Sequence, residues 1–242
     1  MPYAPKPIPD RERLIFAMDV ADAAAARQMV ERLGDSVAFY KLGLELFMSG
    51  GYYELLEWMV GRGKKIFVDL KFFDVPATVA AAVRQLRNRG VALTTVHGNQ
   101  AIMEAAAAAK GEVKVLAVTV LTSLDRGDLD DLGFSVDVDK LVLSRARRAL
   151  EAGCDGVVSS GLEAPMLREF IDQRLLVVTP GIRPVENKPV DDQKRTVDVA
   201  QAFANGADYI VVGRPIRDAA DPRTAAETIQ QTIAHVFAGR AP

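Results

Sequence analysis

The sequence predicts a single (β/α)8 barrel of the TIM type, and three observations support this prediction. Short apolar runs alternate with helical patterns eight times along a chain of 242 residues, a length that one barrel domain commonly has. The runs are apolar almost throughout, as expected for parallel strands covered on both faces. An open doubly wound sheet is the alternative, but no G-x-G-x-x-G motif follows the first run to support a dinucleotide-binding version.

The eight predicted strands are apolar runs of strand length that end at polar or turn-forming residues. In chain order they cover 14–20, 38–47, 65–71, 92–98, 114–123, 156–160, 175–182 and 209–216. Helices are predicted between these runs, and several of them stop at a glycine, the residue that most easily adopts the left-handed conformation after a helix. The segment "PRTAAETIQQTIAHVF" supplies the last helix.

The helix after the third strand shows the helical pattern most clearly. Pro76 suits its first turn, where the missing N–H group costs nothing. Val79, Val83 and Leu86 recur at i, i+4 and i+7 and are expected to form its buried stripe. Gly90 is placed to end this helix.

Composition suggests the domain boundaries and narrows the class of protein. Residues 1–13 are predicted to be a loose lead-in without the apolar core of a secretory signal, and residues 14–240 to form the catalytic barrel. The formal net charge of −2 gives no reason to expect nucleic acid as a partner, and no apolar run is long enough to span a membrane. The one cysteine, Cys154, excludes an internal disulfide and is predicted to be a buried thiol in a cytoplasmic protein.

Charged residues gather at the predicted carboxyl ends of three successive strands, where a barrel places its active site. The string "FVDLKFFDVPATV" carries Asp69, Lys71 and Asp74, the second strand carries Lys41, and the first strand contains Asp19 near its end. Asp69 and Lys71 are two apart on a strand and are therefore expected to share a face. Buried charges need opposite partners, so Lys41 and Asp74 are predicted to extend this pair into an alternating network. Five such charges favour a catalytic site over a surface ion-pair cluster.

A second group of residues follows the seventh and eighth strands, the positions where barrels commonly bind phosphate. The strings "TPGIRP" and "VVGRPI" contain Gly181 with Arg183 and Gly213 with Arg214. The glycines allow close approach of the backbone, and the guanidinium groups offer forked, charge-assisted hydrogen bonds to an anion. The polar segment between them, "RPVENKPVDDQKRT", is predicted to be a mobile lid that brings Gln193 over the anion.

Thr122 and Ser123 also fall at a strand end, that of the fifth predicted strand. Other polar residues are weaker candidates. His97 lies near the end of the fourth strand, where a lone histidine is more often a hydrogen-bonded structural residue. The acidic run "DRGDLDDLG" lacks the ligand spacing of a calcium or zinc site. No metal is therefore predicted there, and its aspartates are interpreted as helix caps in a solvated loop.

The string "DLKFFDVPATV" resembles the D-x-K-x-x-D signature of the orotidine 5′-monophosphate decarboxylase family. The similarity extends through "AMDV", "YKLGLELF", "VTVLTS", "TPGIRP" and "VVGRPI", which cover nearly the whole chain in the expected order. The resemblance implies a homodimeric (β/α)8 barrel with shared active sites and no metal or organic cofactor. The implied reaction converts orotidine 5′-monophosphate to UMP and CO2, the last step of de novo pyrimidine nucleotide biosynthesis.

The resemblance also implies a role for each matching residue. Lys71 is the implied proton donor to C6 of the pyrimidine, and Asp69 lies near the substrate carboxylate. Lys41 and Asp74 complete the charge network, with Asp74 reaching into the neighbouring subunit's site. Thr78 is implied to reach the neighbouring site, and Asp19 and Lys41 to contact the ribose. Thr122 and Ser123 are implied to contact the pyrimidine. The implied phosphate contacts are Arg183, Gln193, Gly213 and Arg214.

Two departures from the family pattern concern local structure rather than catalytic groups. Ala77 stands where the family often has asparagine. The string "HGNQ" lacks the glycines that commonly follow the histidine of the fourth strand. Both departures leave every implied catalytic group in place.

Two alternative functions stay open. A metal-dependent sugar-phosphate decarboxylase or synthase of the same suprafamily shares the D-x-K-x-x-D motif. Such an enzyme needs a further carboxylate where this chain has Lys41, whose charge would repel Mg²⁺. A non-catalytic nucleotide-phosphate-binding barrel would keep the arginines but would have little reason to keep the alternating charges.

Overall fold

The computed structural model describes residues 4–183 and 196–238, and these form a closed barrel of eight parallel strands that pair in chain order, with the last strand beside the first. This topology confirms the predicted (β/α)8 fold. The strands are β1 (Leu14–Ala17), β2 (Phe39–Leu42), β3 (Lys65–Phe72), β4 (Val91–Val96), β5 (Lys114–Val118), β6 (Gly156–Val158), β7 (Leu176–Thr179) and β8 (Tyr209–Val212).

Helices connect the strands and surround the barrel, and two short 3₁₀ turns cover Asp10–Glu12 and Gly34–Ser36. The helices are α1 (Ala23–Leu33), α2 (Leu44–Ser49), α3 (Tyr52–Val60), α4 (Pro76–Arg84), α5 (Gln100–Ala109), α6 (Arg126–Asp131), α7 (Val138–Glu151), α8 (Ala164–Phe170), α9 (Val199–Ala204), α10 (Arg214–Arg217) and α11 (Pro222–Ala238). No helix among the described residues has the length and apolar character needed to cross a bilayer.

The barrel interior is a separate apolar layer built from alternate residues of the strands. Its members are Ile15, Ala17, Phe39, Phe67, Leu93, Leu116, Leu176, Val178, Tyr209 and Val211. Successive side chains of a strand point to opposite faces, so the intervening residues pack against the helices. Lys41, Asp69 and Thr95 come two residues after members of the interior layer, and they place polar groups at its carboxyl end.

Several predicted strands extend too far at their carboxyl ends. The strand predicted over 38–47 stops at Leu42, and its last residues form α2 instead. The fifth strand stops at Val118, so Thr122 and Ser123 lie in a turn beyond it. The overextension arises because the chain stays apolar and buried at this rim, as at Val120, after the strand ladder has ended.

Helix α4 follows the predicted pattern at its start but not at its end. It begins at Pro76, and Val79 and Val83 are buried, as expected. It ends at Arg84, well before Gly90, where the prediction placed its end. Gly90 has φ +73°, and a Cβ atom there would lie 2.6 Å from Val60 Cγ1, so this glycine serves close packing against α3.

The acidic run forms α6 rather than a loop, although its aspartates do cap a helix. The Asp125 side chain accepts a hydrogen bond from the Asp128 backbone, and the Asp128 side chain accepts one from the Asp125 backbone. This reciprocal pair is a capping box. Cys154 is buried, as predicted, and burial raises the pKa of its thiol to about 12.

Within the described residues before β1, Lys6 and Arg13 contact the barrel, whereas the sequence suggested a loose lead-in over 1–13. The ammonium group of Lys6 contacts Asp208 Oδ2 at 3.0 Å and donates to the Gln173 carbonyl at 2.8 Å. Arg13, which is buried, donates to the Lys6 carbonyl at 2.8 Å. Asp208 also pairs with Arg168 Nη2 at 2.7 Å. We call these contacts the N-terminal clasp, and they lie at the amino ends of β7 and β8.

Candidate active site

A cavity of about 530 Å³ opens at the carboxyl ends of the strands, within the usual size range of small-molecule sites. Nine of the twelve residues predicted for the site line it, namely Asp19, Lys41, Asp69, Lys71, Thr122, Ser123, Arg183, Gly213 and Arg214. Asp74 and Thr78 are exposed and do not line it. Gln193, with most of the predicted lid, lies outside the described residues.

Four charged side chains of alternating sign form a row across this cavity. Lys41 Nζ lies 3.0 Å from Asp19 Oδ1 and 3.6 Å from Asp69 Oδ2. Lys71 Nζ lies 3.0 Å from Asp69 Oδ1. The row begins at Asp19 and ends at Lys71 within one subunit. Asp74, which was expected in the network, is not in contact with this row in the single chain.

The inner members of the row keep their charges. Burial lowers the pKa of Lys41, but the Asp69 and Asp19 carboxylates raise it more, and the net effect is a raised pKa. Burial raises the pKa of Asp69, but Lys41 and Lys71 lower it more, together with hydrogen bonds from Lys71 and Thr95. The two shifts agree in direction, because each charge stabilises the ionised form of the other.

The backbone of β3 is irregular where it presents Lys71. Val68 pairs with Thr94 and Phe72 pairs with Val96, so four steps along β3 correspond to two steps along β4. Lys71 has φ +50°, a left-handed conformation that costs a non-glycine residue about 1–2 kcal/mol. A regular strand is predicted over residues 69–71, yet the Asp69 and Lys71 side chains still reach the cavity from this bulge.

Thr95 lies opposite the bulge and was not among the predicted site residues. Its side chain is buried. Its Oγ1 accepts a hydrogen bond from the Lys71 backbone N–H at 3.0 Å and donates one to Asp69 Oδ1 at 2.9 Å. A threonine in an apolar strand carries no sequence signal that separates this arrangement from ordinary strand packing.

Gly43 also contributes to the site, although the sequence suggested only a backbone detail. A Cβ atom there would lie 3.2 Å from Lys41 Nζ and 3.5 Å from Asp19 Oδ1. Its φ of −108° is ordinary for any residue. The glycine therefore provides space for the Lys41 ammonium group rather than an unusual backbone conformation.

The arginine end of the cavity is formed by the segments that follow β7 and β8. Gly181, with φ +76°, and Arg183 follow β7, and Gly213 and Arg214 follow β8. Arg217, which the sequence argument missed, lines the same end and donates to the Asp19 carbonyl at 2.8 Å. Its position three residues after Arg214, on the same side of a helix, is the signal that could have found it.

Asp74 and Thr78 lie at the start of α4, beside large exposed apolar side chains. The Asp74 carboxylate accepts a hydrogen bond from the Val75 N–H at 2.6 Å. Phe73 is 69% exposed and Val75 is 62% exposed. The two predicted residues therefore sit on an apolar part of the surface at the mouth of the barrel.

His97 lies beside the site and has a lowered pKa. Burial lowers its pKa, and the nearby charges of Arg145 and Lys71 lower it further, so the surroundings favour the neutral ring. Its Nδ1 is buried without a hydrogen-bond partner among the described residues, contrary to the hydrogen-bonded ring that was expected. The ring packs near Phe73, with 5.5 Å between centroids.

No cluster of three or more histidine, cysteine or acidic residues suited to a metal ion occurs in residues 4–183 and 196–238. Within the cavity, the space between Asp19 and Asp69 is taken by the Lys41 ammonium group. A cation in that space would meet a positive charge.

Comparison with known proteins identifies similar chains of the same length. The model of the orotidine 5′-phosphate decarboxylase / HUMPS family matches residues 12–229. An orotidine 5′-phosphate decarboxylase of Methylococcus capsulatus is 68% identical over 233 residues, which cover 96% of each chain. A protein of the same name from Stenotrophomonas maltophilia is 54% identical and covers 99% of this chain and 100% of its own.

Solved structures show the same similarity at lower identity. The crystal structure of orotidine 5′-phosphate decarboxylase from Lactobacillus acidophilus is 34% identical, with a TM-score of 0.81. The matched region covers 92% of this chain and 99% of that one. The likeness therefore includes the whole barrel rather than one part of it.

Proposed function

Since the chain belongs to the orotidine 5′-phosphate decarboxylase / HUMPS family, we propose that it converts orotidine 5′-monophosphate to UMP and CO2, with Lys71 as the proton donor. The named relatives at 54–68% identity support the reaction. The observation that carries the proton-donor assignment is the row of alternating charges, in which Lys71 Nζ lies 3.0 Å from Asp69 inside the cavity.

The chemistry explains why an ammonium group is needed at this point. Loss of CO2 from C6 leaves a carbanion whose orbital is orthogonal to the π-system of the ring, so the ring provides no electron sink. The positive charge of Lys71 stabilises the developing negative charge and then supplies the proton that completes the reaction. The ion pair with Asp69 holds the ammonium group in place before substrate binds.

Asp69 has a second part in the proposed reaction. Its carboxylate is largely buried and stays ionised beside the two lysines, which hold its pKa below the ordinary range. A substrate carboxylate placed next to it is repelled, and this repulsion is relieved as neutral CO2 leaves. Lys41 stabilises the ionised state of Asp69 from the other side and is itself paired with Asp19, and these two residues are the proposed contacts of the ribose.

The remaining residues bind the nucleotide. Arg183 and Arg214 line one end of the cavity and are the proposed phosphate ligands, together with Gly213 and Gln193. Phosphate binding far from the reacting carbon supplies free energy for ordering the site. Thr122 and Ser123 line the cavity after β5 and are the proposed contacts of the pyrimidine.

Two further proposals concern the assembly and its location. The exposed apolar surface around Phe73 and Val75 supports a homodimer in which Asp74 and Thr78 serve the neighbouring site. A dimer interface of this kind would cover side chains that are otherwise unfavourable in water. The single buried thiol of Cys154 is compatible with the reducing cytoplasm.

We expect Lys71→Ala to lower the rate of CO2 release by about a thousandfold or more, because it removes both the stabilising charge and the proton. Binding of UMP should persist, since the arginine end of the cavity is unchanged. Spectrophotometric turnover of orotidine 5′-monophosphate and calorimetric UMP binding measure the two effects. Lys65→Ala is the matched control, because Lys65 is on the same strand but pairs with Glu12 at the opposite rim.

The same assay separates the alternative functions. Unchanged turnover in EDTA would agree with the position of Lys41 between Asp19 and Asp69, whereas loss of turnover would favour the metal-dependent sugar-phosphate enzymes. A wild-type protein that binds UMP but releases no CO2 would instead be a nucleotide-phosphate-binding barrel.

Mixing two inactive variants tests the shared site. If Asp74 acts across the interface, a heterodimer of Lys71→Ala and Asp74→Ala subunits contains one intact site and one that lacks both groups. Random reassociation of equal amounts makes about half of the dimers mixed, and each mixed dimer has one intact site of two. Turnover would then return to about a quarter of the wild-type value. Turnover that stays at the level of the separate variants would place Asp74 in its own subunit's site.

A further inference from the structure

The position of Lys71 depends on a backbone segment that the strand ladder does not hold. Residues between Val68 and Phe72 have no register partners on β4. Lys71 adopts φ +50°, and such strained conformations persist only where the surroundings stabilise them. Its partly buried backbone N–H needs an acceptor, because a donor left unpaired away from water is costly.

Thr95 is the residue that supplies this acceptor, and its one hydroxyl group makes two different contacts. Oγ1 accepts from the Lys71 N–H at 3.0 Å and donates to Asp69 Oδ1 at 2.9 Å. The same Asp69 oxygen accepts from Lys71 Nζ at 3.0 Å. Thr95 therefore joins the backbone of Lys71 to the carboxylate that holds the Lys71 ammonium group.

We propose that Thr95 is a positioning residue for the proton donor, which its hydroxyl group places through the Lys71 backbone and the Asp69 carboxylate. This inference rests on the proposed function of Lys71. Thr95 does not line the cavity, so its effect reaches the reaction through these two neighbours. Without the hydroxyl group, Asp69 loses a hydrogen bond and the strained backbone loses its acceptor.

The adjacent residue, Thr94, provides a close comparison. It is equally buried on the same strand, and its Oγ1 donates to the Val68 carbonyl at 3.1 Å. Successive residues of a strand face opposite sides, so Thr94 points towards the helices and Thr95 towards the barrel interior. The pair separates the general effect of a buried threonine hydroxyl from the specific effect on Lys71.

The test compares Thr95→Val, Thr95→Ser and Thr94→Val, using orotidine 5′-monophosphate turnover and UMP binding. We expect Thr95→Val to lower kcat by about tenfold to a hundredfold, the loss typical of a hydrogen bond to a charged group. KM and UMP affinity should stay within about threefold, since the phosphate contacts are unaffected. Thr95→Ser should recover most of kcat, and Thr94→Val should keep it.

The pH profile gives an independent measurement. Removing the donor makes ionised Asp69 less favourable and raises the pKa of its carboxyl group. The acid limb of kcat/KM should therefore move to higher pH in Thr95→Val, and Thr95→Ser should move it back.

Several outcomes would overturn the proposal. These are an unchanged kcat in Thr95→Val, an equal loss in Thr94→Val, or a failure of Thr95→Ser to recover activity. If Thr95→Val does not fold, Thr95→Cys can be compared with Thr95→Ser. These two side chains have similar volumes, but only serine keeps the hydroxyl group. Wild-type protein without decarboxylase turnover would contradict the proposed function instead, and so the two failures are distinguishable.

Discussion

At the scale of single residues, the position of a charged group can depend on a nearby glycine, which leaves room for that group. A Cβ atom at Gly43 would lie only 3.2 Å from Lys41 Nζ. The ammonium group pairs there with Asp19 and Asp69. Gly43 therefore helps to keep the row of charges continuous, although it has no functional group of its own.

We expect Gly43→Ala to lower kcat/KM by about tenfold, because the new methyl group displaces the Lys41 ammonium and small displacements in a site are costly. Thermal stability should change little, since the backbone conformation at this position suits alanine. Gly61→Ala is the control, because Gly61 is exposed in an ordinary helical conformation at the end of α3. Equal kcat/KM values in wild type and Gly43→Ala would contradict this account.

The four charges of the row could be predicted from the sequence, but the residues that support them could not. Asp69 and Lys71 could be predicted because charges are unusual at the end of an apolar strand. Thr95 and Gly43 could not, because threonine and glycine are common in strands and turns. Thr95 matters because its hydroxyl group lies 2.9 Å from Asp69 on another strand, and Gly43 because the folded chain brings the Lys41 ammonium group and Asp19 close to it. No local sequence pattern encodes such distances.

At the scale of elements, the sequence predicts the existence of strands and helices better than their ends. All eight predicted strands are present, but several stop early where the apolar sequence continues into the rim. The bulge in β3 left no trace in the sequence, because Leu70 keeps the apolar alternation through it. The end of an element was easier to predict where a residue type marks it, as at Pro76, which begins α4.

Helix α5 offers a test of such a signal. The Asn99 side chain accepts a hydrogen bond from the Ile102 N–H at 3.2 Å and caps the helix. We expect Asn99→Ala to lower the free energy of unfolding by about 1 kcal/mol, as measured by chemical denaturation. Asn99→Asp should keep nearly all of it, because aspartate caps equally well. A similar loss in both variants would show that the cap does not contribute in this way.

At the scale of the whole molecule, the two rims of the barrel have different roles. The carboxyl rim carries the strained Lys71 backbone and a row of partly buried charges. The amino rim carries the N-terminal clasp, in which Asp208 is fully buried between Lys6 and Arg168. The fold class was predictable because it follows from eight repeated units. The clasp was not predictable, because it joins residues about 200 positions apart in the chain.

We expect Asp208→Asn to lower the free energy of unfolding by about 3–5 kcal/mol, since it leaves the buried Arg168 guanidinium without its counter-charge. Asp172→Asn is the matched control, because Asp172 pairs with Arg174, whose side chain is 84% exposed. That variant should leave stability nearly unchanged. Chemical denaturation of both variants measures the difference, and equal stabilities would show that the buried pair is not important to the fold.

The N-terminal clasp has a practical consequence for handling the protein. It holds Lys6 and Arg13 at the end of the barrel opposite the mouth of the cavity. A linker joined to the chain ahead of Lys6 would be connected to the protein at that far end. A sensor chip or bead that captures the protein through this linker would leave the mouth open to the flowing solution, so nucleotide binding could be recorded without obstruction by the support.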